Sequence, residues 1–211
     1  MSEELHQTMK MLGYSKYSIG MHSAGGIVGM ALAIKYPEEV ETCLCIDTTP
    51  SELTEYTSST ILEKVSGHVL KGMNKLGISR LLHKTNKLTP KVNGYLFTDQ
   101  EKDAYFKCAL ENGFSKNMQE ELDELDANLR SMQGKKYPDS IPVYSFVSSN
   151  TDKLLTKFGA PLGKWISLHQ SMSNHPQSKV EVIDASHYLH HDSPELIAKE
   201  YINWFKTVIT K

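Results

Sequence analysis

Tyr17-Ser18-Ile19-Gly20-Met21-His22-Ser23-Ala24-Gly25-Gly26-Ile27-Val28-Gly29-Met30 is the stretch whose reading decides the fold. A short apolar segment runs into His22-Ser23-Ala24-Gly25-Gly26, and a helix-like apolar run, Ile27 to Ile34, follows at once. That pattern is a strand, an abrupt turn and a helix with no loop between them. A serine at such a turn is forced into a strained backbone conformation, and its Oγ then stands clear of the sheet where a substrate can reach it. Strain of this kind needs small neighbours, and glycines cluster around Ser23.

Outward from the turn, the chain alternates strands and helices. Ser2 to Leu12 reads as an amphipathic helix with Leu5, Met9 and Leu12 at helical spacing and Gly13 able to cap its end. Tyr14 to Met21 is the first strand, and the helix after the turn stops at Pro37. Val40 to Ile46 is the second strand and ends in Asp47-Thr48-Thr49-Pro50. Strand, helix and strand in that order make a βαβ unit with parallel pairing. Further on, Ile141 to Ser148 is a strand closed by Ser149-Asn150-Thr151-Asp152, and Leu162 to Met172 is helical. Lys179 to Ile183 is the last strand, followed by Asp184-Ala185-Ser186-His187. A final helix, Ser193 to about Ile209, opens with serine as cap and Pro194 at its first position.

Between the two α/β portions, Ser51 to Asp139 reads as an almost wholly helical insertion. Ser51-Glu52-Leu53 and Thr98-Asp99-Gln100-Glu101 are helix starts, the second a capping box. Ser115 to Met132 is a charged helix whose Leu122, Leu125 and Leu129 fall on one side for packing. With no turn-separated strands, the insertion is expected to be a lid. The expected architecture is therefore α/β, a mostly parallel sheet flanked by helices, with a core of residues 1–50 and 140–211 and a helical lid of residues 51–139.

Composition narrows the function classes. The 211 residues carry 23 Lys and Arg against 25 Asp and Glu, a formal net charge of −2, which gives no electrostatic case for nucleic acid or an anionic membrane. No apolar run approaches the ~20 residues needed to span a bilayer. The acidic, polar start Met-Ser-Glu-Glu-Leu-His does not read as a signal peptide. Of the cysteines Cys43, Cys45 and Cys108, the first two share one face of a strand and read as core. A Cys-x-Cys metal site would want two more ligands nearby, and none is at hand. The usage fits a reducing, cytoplasmic setting.

Three chemical groups stand at three strand ends: Ser23, Asp152 and His187. Side chains beyond the C-terminal edge of a parallel sheet converge on one crevice. A serine hydroxyl becomes a useful nucleophile when an imidazole takes its proton, and a carboxylate on the other ring nitrogen fixes the tautomer and stabilises the imidazolium. Asp47, at the end of the preceding strand, is the alternative acid. His190, His191 and Asp192 could be drawn with His187 as metal ligands, but their spacing fits no common motif and they read as loop residues. His22 is expected to be structural.

His22-Ser23-Ala24-Gly25-Gly26 resembles the nucleophile elbow of the α/β-hydrolases, with one departure: the first glycine of G-x-S-x-G falls on Met21, while Gly20 sits one residue early. Ile-Pro-Val followed by a short turn and Asp152 is similar to that superfamily's acid strand. Ala185 to Glu195, with His187, an aromatic Tyr188 and Pro194-Glu195, is similar to its histidine loop. The resemblance implies Ser23 as nucleophile, His187 as base, Asp152 as acid (some members carry it at the position of Asp47) and the backbone N–H of Ala24 as one oxyanion donor. It implies a serine hydrolase acting on an ester, thioester or amide through an acyl-enzyme, with a small-molecule acyl substrate and no cofactor or metal. A serine nucleophile argues against the haloalkane dehalogenase and epoxide hydrolase branches, which use aspartate.

The superfamily's sheet has several strands before the elbow and a loop that supplies a second oxyanion donor. Neither is found here, so the chain is expected to be the C-terminal, N-terminally shortened portion of such an enzyme. Two expectations follow. The elbow strand would be an open edge that invites self-association, and the loss of one oxyanion donor would cost roughly 10²- to 10³-fold in rate. Two alternatives stay open: a weak or inactive remnant acting as an interaction module, and an acyltransferase using the same triad.

Overall fold

A computed structural model describes residues 1–56, 92, 95, 97–112 and 115–209. They fall into two compact units, Met1–Tyr56 with Asn128–Lys211, and Thr57–Ala127. The first unit holds a four-stranded sheet in the order β1 (Tyr17–His22), β2 (Val40–Ile46), β3 (Val143–Ser148), β4 (Lys179–Ile183). All three pairings are parallel, with Met21 opposite Cys45, Cys45 opposite Ser145, and Val147 opposite Val182. The sheet is the mostly parallel α/β sheet expected from the sequence. Among the described residues β1 pairs on one side only.

The pleat of β3 shows how the sheet acquires two packed faces, because successive side chains point to opposite sides. Tyr144 and Phe146 join Ile183, Ala185, Leu189 and Ile197 in one buried cluster, against which Tyr201 and Trp204 of the last helix pack. Val147 joins Leu155, Ala160 and Trp165 on the other face. All six residues of β3 are buried, as befits a strand covered on both sides. Cys43 and Cys45 are fully buried in β2, and burial pushes the Cys43 thiol well above its ordinary value.

The helices, in chain order, are α1 (Ser2–Met11), α2 (Gly25–Lys35), α3 (Asp99–Asn112), α4 (Lys116–Met132), α5 (Ser149–Leu155), α6 (Lys164–Ser171), α7 (Leu189–Asp192) and α8 (Pro194–Ile209). α3 lies in the second unit, α4 begins there and ends in the first, and the others belong to the first. The capping box at the start of α3 forms as its spelling requires: Thr98 N–H donates to Glu101 Oε2 at 2.8 Å and Glu101 N–H to Thr98 Oγ1 at 3.3 Å. On α4 Leu129 is buried and Leu125 half-buried, while the side chain of Leu122 lies outside the described residues, as does the stretch from 57 to 91. The residues 51–56 and 128–139, read from sequence as part of the insertion, belong to the first unit.

Two local readings are corrected. In α1 the apolar stripe is not what docks the helix: Leu5 and Leu12 are exposed, and the buried residue is His6. His6 Nδ1 lies 2.8 Å from Glu39 Oε2 and its ring stacks on Tyr36 at 3.7 Å, so polar and stacking contacts take the place of aliphatic packing. The second correction follows β3. The segment Ser149 to Asp152 is a helix, α5, because Ser148 Oγ accepts the Thr151 N–H at 3.0 Å and caps it. No described helix is long and apolar enough to cross a membrane.

Candidate active site

The turn between β1 and α2 is strained at Ser23, whose φ is +53°. This left-handed conformation costs a non-glycine residue about 1–3 kcal/mol and must be held by its surroundings. Ser23's carbonyl oxygen accepts from Gly26 N–H at 3.0 Å and from Thr49 N–H at 2.9 Å, which ties the turn to both the first coil of α2 and the loop after β2. Gly26 is needed for that approach: a Cβ there would come within 2.5 Å of Thr48 Cβ. Met21, in the place of the usual first glycine, is buried and points away from the turn. Its side chain occupies the space above Gly29, where an added Cβ would meet Met21 Sδ at 1.9 Å. The glycine that gives strand and helix their room here is Gly29, on the helix.

Ser23 Oγ lies 2.9 Å from His187 Nε2, and His187 Nδ1 lies 2.7 Å from Asp47 Oδ2. A carboxylate can only accept, so Nδ1 carries the proton, and Nε2 of the neutral ring is left free to accept the Ser23 hydroxyl. These side chains come from the ends of β1 and β2 and from the loop after β4, up to 164 positions apart in sequence. Asp47 is itself at a positive φ, +43°, and its carboxylate is fully buried. Oδ1 accepts from Ser148 N–H at 2.9 Å and Trp165 Nε1–H at 2.7 Å, and Oδ2 accepts from Thr151 Oγ1–H at 2.6 Å as well as from His187. Burial by itself would raise the Asp47 pKa. The donors His187, Thr151, Ser148 and Trp165 together outweigh it and hold the carboxyl below its ordinary value.

Asp152 is not beside His187. It lies inside α5, buried, where Oδ2 accepts Gly163 N–H at 2.8 Å and Oδ1 accepts Trp165 N–H at 2.9 Å. The helix that replaces the expected turn carries Asp152 to the start of α6, and Asp47 takes the place at the histidine. The sequence had offered Asp47 only as the alternative.

No protein-family model matches the sequence, and no curated protein is significantly similar to it. Solved structures do resemble the chain. The epoxide hydrolase CorEH superposes with a TM-score of 0.63 at 16% identity, over 98% of this chain and 73% of that one. A "putative acyltransferase" from Salmonella enterica gives 0.65 at 15% identity, over 99% and 70%. A "putative alpha/beta hydrolase" from Nostoc sp PCC 7120 gives 0.62 at 16% identity, over 97% and 71%. The chain has the α/β-hydrolase fold. The strand–turn–helix at Ser23 is the turn from β1 into α2, and the remaining residues of the candidate site lie around it.

α2 begins directly after Ala24 with no side-chain cap. The first N–H groups of a helix lack intrahelical acceptors and carry its positive end, so this terminus is suited to a developing anion. On the other side of Ser23 lies a histidine cluster. His22 Nε2–H donates to the carbonyl oxygen of His187 at 3.0 Å, and its ring lies 4.7 Å from that of His187 and 4.6 Å from that of His190. Burial lowers the pKa of His22. Burial, with His191, His22 and His187 as neighbours, lowers that of His190. Asp192 accepts the Ser186 N–H at 2.7 Å and braces the histidine loop. Among the described residues no group of three His, Cys, Asp or Glu side chains is placed to hold a metal ion. His22 was legible as a neighbour of the elbow, but its bond to the His187 carbonyl was not, since nothing local signals a contact 165 positions away.

Proposed function

We propose that the chain is a serine hydrolase that cleaves an ester, thioester or amide through an acyl-enzyme. The observation that carries this reading is the pair of contacts at His187, 2.9 Å to Ser23 Oγ and 2.7 Å to Asp47 Oδ2. Ser23 Oγ attacks the acyl carbonyl while His187 Nε2 takes its proton. Asp47, held as a carboxylate, stabilises the imidazolium. The backbone N–H of Ala24, at the start of α2, donates to the oxyanion. When the tetrahedral intermediate collapses, the bond to the leaving group breaks and His187 gives that group the proton. Water then attacks the acyl-enzyme, His187 takes a proton from it, and the acid leaves as Ser23 Oγ recovers its hydrogen.

Some similar structures are of proteins described as epoxide hydrolases. The hydroxyl at the elbow of this chain and the imidazole hydrogen-bonded to it favour acyl chemistry instead. The acceptor, water or another alcohol, is read from the products.

A fluorophosphonate probe tests the reading, because it reacts with a serine whose base is in place. The intact chain is expected to be labelled, and Ser23→Ala and His187→Ala to lose the label. A folded wild-type chain that takes no label would overturn it. Turnover of a short-chain p-nitrophenyl ester then distinguishes hydrolysis from transfer to an added alcohol.

A further inference from the structure

One face of α6 is turned to the acid of the site. Trp165 and His169 stand four positions apart, so they lie one above the other on that face, with their rings 5.1 Å apart. Trp165 Nε1–H reaches Asp47 Oδ1 at 2.7 Å, and His169 Nε2 lies 2.9 Å from the carbonyl oxygen of the next residue, Thr48. His169 Nδ1 lies 2.9 Å from the Trp165 carbonyl, and burial lowers the pKa of this ring, so as a neutral group it donates to one of the two carbonyls. Trp165 is 3% exposed, His169 2% and Asp47 0%, so these contacts are made out of water. A buried tryptophan needs a partner for its N–H, and this one is directed at a carboxylate that is already strained at φ +43°.

The start of α6 is in turn fixed by Asp152. Its two carboxylate oxygens take the N–H groups of Gly163 and Trp165, at 2.8 and 2.9 Å. Gly163 precedes the helix at φ +85°, and Asp152 braces this turn into α6 with both carboxylate oxygens. Thr151, the residue before Asp152, donates its hydroxyl to Asp47 Oδ2 at 2.6 Å. One short segment therefore reaches Asp47 directly through Thr151 and indirectly through Asp152, α6 and Trp165.

We propose that Thr151 and Trp165 are positioning residues that hold Asp47 against His187, and that Asp152 serves the same end one step further back by fixing the backbone of Trp165. The inference rests on the serine hydrolase reading, since it assigns a purpose to contacts with that reading's acid. The aspartate that the sequence placed in the triad then acts on the triad without touching His187. Each donor to the Asp47 carboxylate draws charge from it, which moderates its pull on the His187 proton. The groups facing His187 are Asp47 from β2, His22 from β1, and Tyr188 and His190 from its own loop. Those facing Asp47 are His187 and, from α6, Trp165 and His169.

The experiment is the rate of fluorophosphonate labelling against pH for the intact chain and for Thr151→Val, Trp165→Phe and Asp152→Asn, with thermal melts as a folding control. Removing a donor leaves more negative charge for His187 to face, so His187 holds its proton to higher pH. The acid limb of the profile is expected to move up, by about half a unit for Thr151→Val and Trp165→Phe. The plateau rate is expected to fall about tenfold as the carboxylate loses its fixed geometry. Asp152→Asn should move both in the same direction by a smaller amount. Thr151→Val removes only a hydroxyl and keeps the test alive should Trp165→Phe fail to fold. A uniform drop with an unmoved limb, or no change at all, in the folded variants overturns the proposal. An unmoved limb in Asp152→Asn alone overturns the part assigned to Asp152. A wild-type chain that takes no label is a different failure, that of the hydrolase reading itself.

Discussion

Two aspartates follow two neighbouring strands, and they face different partners. Asp47 ends β2 and Asp152 stands four residues beyond β3. Both are buried, and both take main-chain N–H donors. What separates them is the backbone that carries them. Asp47 sits at φ +43° in a sharp turn, so its side chain is thrown over the end of the sheet toward the histidine loop. Asp152 sits within a helix capped by Ser148, so its side chain turns toward the start of α6. The direction a strand-end carboxylate takes is set by whether the chain turns or coils there.

The largest expected effect separates the two. Asp47→Asn keeps the shape but not the charge and is expected to lower kcat/KM on a simple ester by roughly 10³- to 10⁴-fold, the scale seen when a triad loses its acid. Asp152→Asn is expected to cost about tenfold or less. Steady-state kinetics of the two side by side decide it: a larger loss in the Asp152 variant would reverse the assignment drawn here.

Stability is expected to register both residues. Asp152→Ala strands the N–H groups of Gly163 and Trp165 at the start of α6 and is expected to cost about 1–3 kcal/mol in urea unfolding. Asp47→Ala strands the Ser148 N–H, the Trp165 Nε1–H and the Thr151 hydroxyl and leaves an alanine at φ +43°, so its loss is expected to be at least as large. A smaller loss for Asp47→Ala would show that the burial of its charge outweighs those donors.

The elbow offers a contrast of its own. Gly29→Ala would place a Cβ 1.9 Å from Met21 Sδ, and the methionine can yield only by moving within a packed core. A loss of about 1–3 kcal/mol is expected. In the double variant with Met21→Ala the two single losses should not add, since the two residues share one space. Fully additive losses would show that the room for the helix is not set by this pair.

The smallest effect expected is a pH dependence of stability. Burial lowers the pKa of His22, His169 and His190 in the folded chain. Below the ordinary value of about 6.5 the unfolded chain therefore binds more protons than the folded one, and stability falls as pH falls. The opposite sign does not arise from Asp47: its lowered carboxyl also stabilises the fold above its ordinary value and loses that contribution only in acid. A melting temperature that rises as the pH falls from 7 to 5 would contradict the direction given for the three histidines.

Much of this was legible in the sequence because it is local. Hydrophobic patterning and the punctuation of Gly13, Pro37 and Pro194 mark the elements. The cluster of small residues at Ser23 to Gly26 marks the elbow, since such a turn has few other spellings. His187 was legible from its loop. The exposed stripe of α1 misled because helical spacing records that a face is apolar, not that a partner covers it. Asp152 misled because Ser-Asn-Thr-Asp spells a turn and a capped helix start equally well, and only the hydrogen bond of Ser148 Oγ to Thr151 N–H separates them.

The sequence by itself determined a parallel α/β sheet, a strained serine between its first strand and helix, and a histidine awaiting it after the last strand. These depend on residues within a few positions of one another. Only the tertiary structure decided which aspartate faces that histidine, where the Met21 side chain is housed and where the Trp165 Nε1–H is directed. Each of those is a contact between segments far apart in the chain, and its geometry is set by how strands stack and helices settle on them, which no short run of residues encodes.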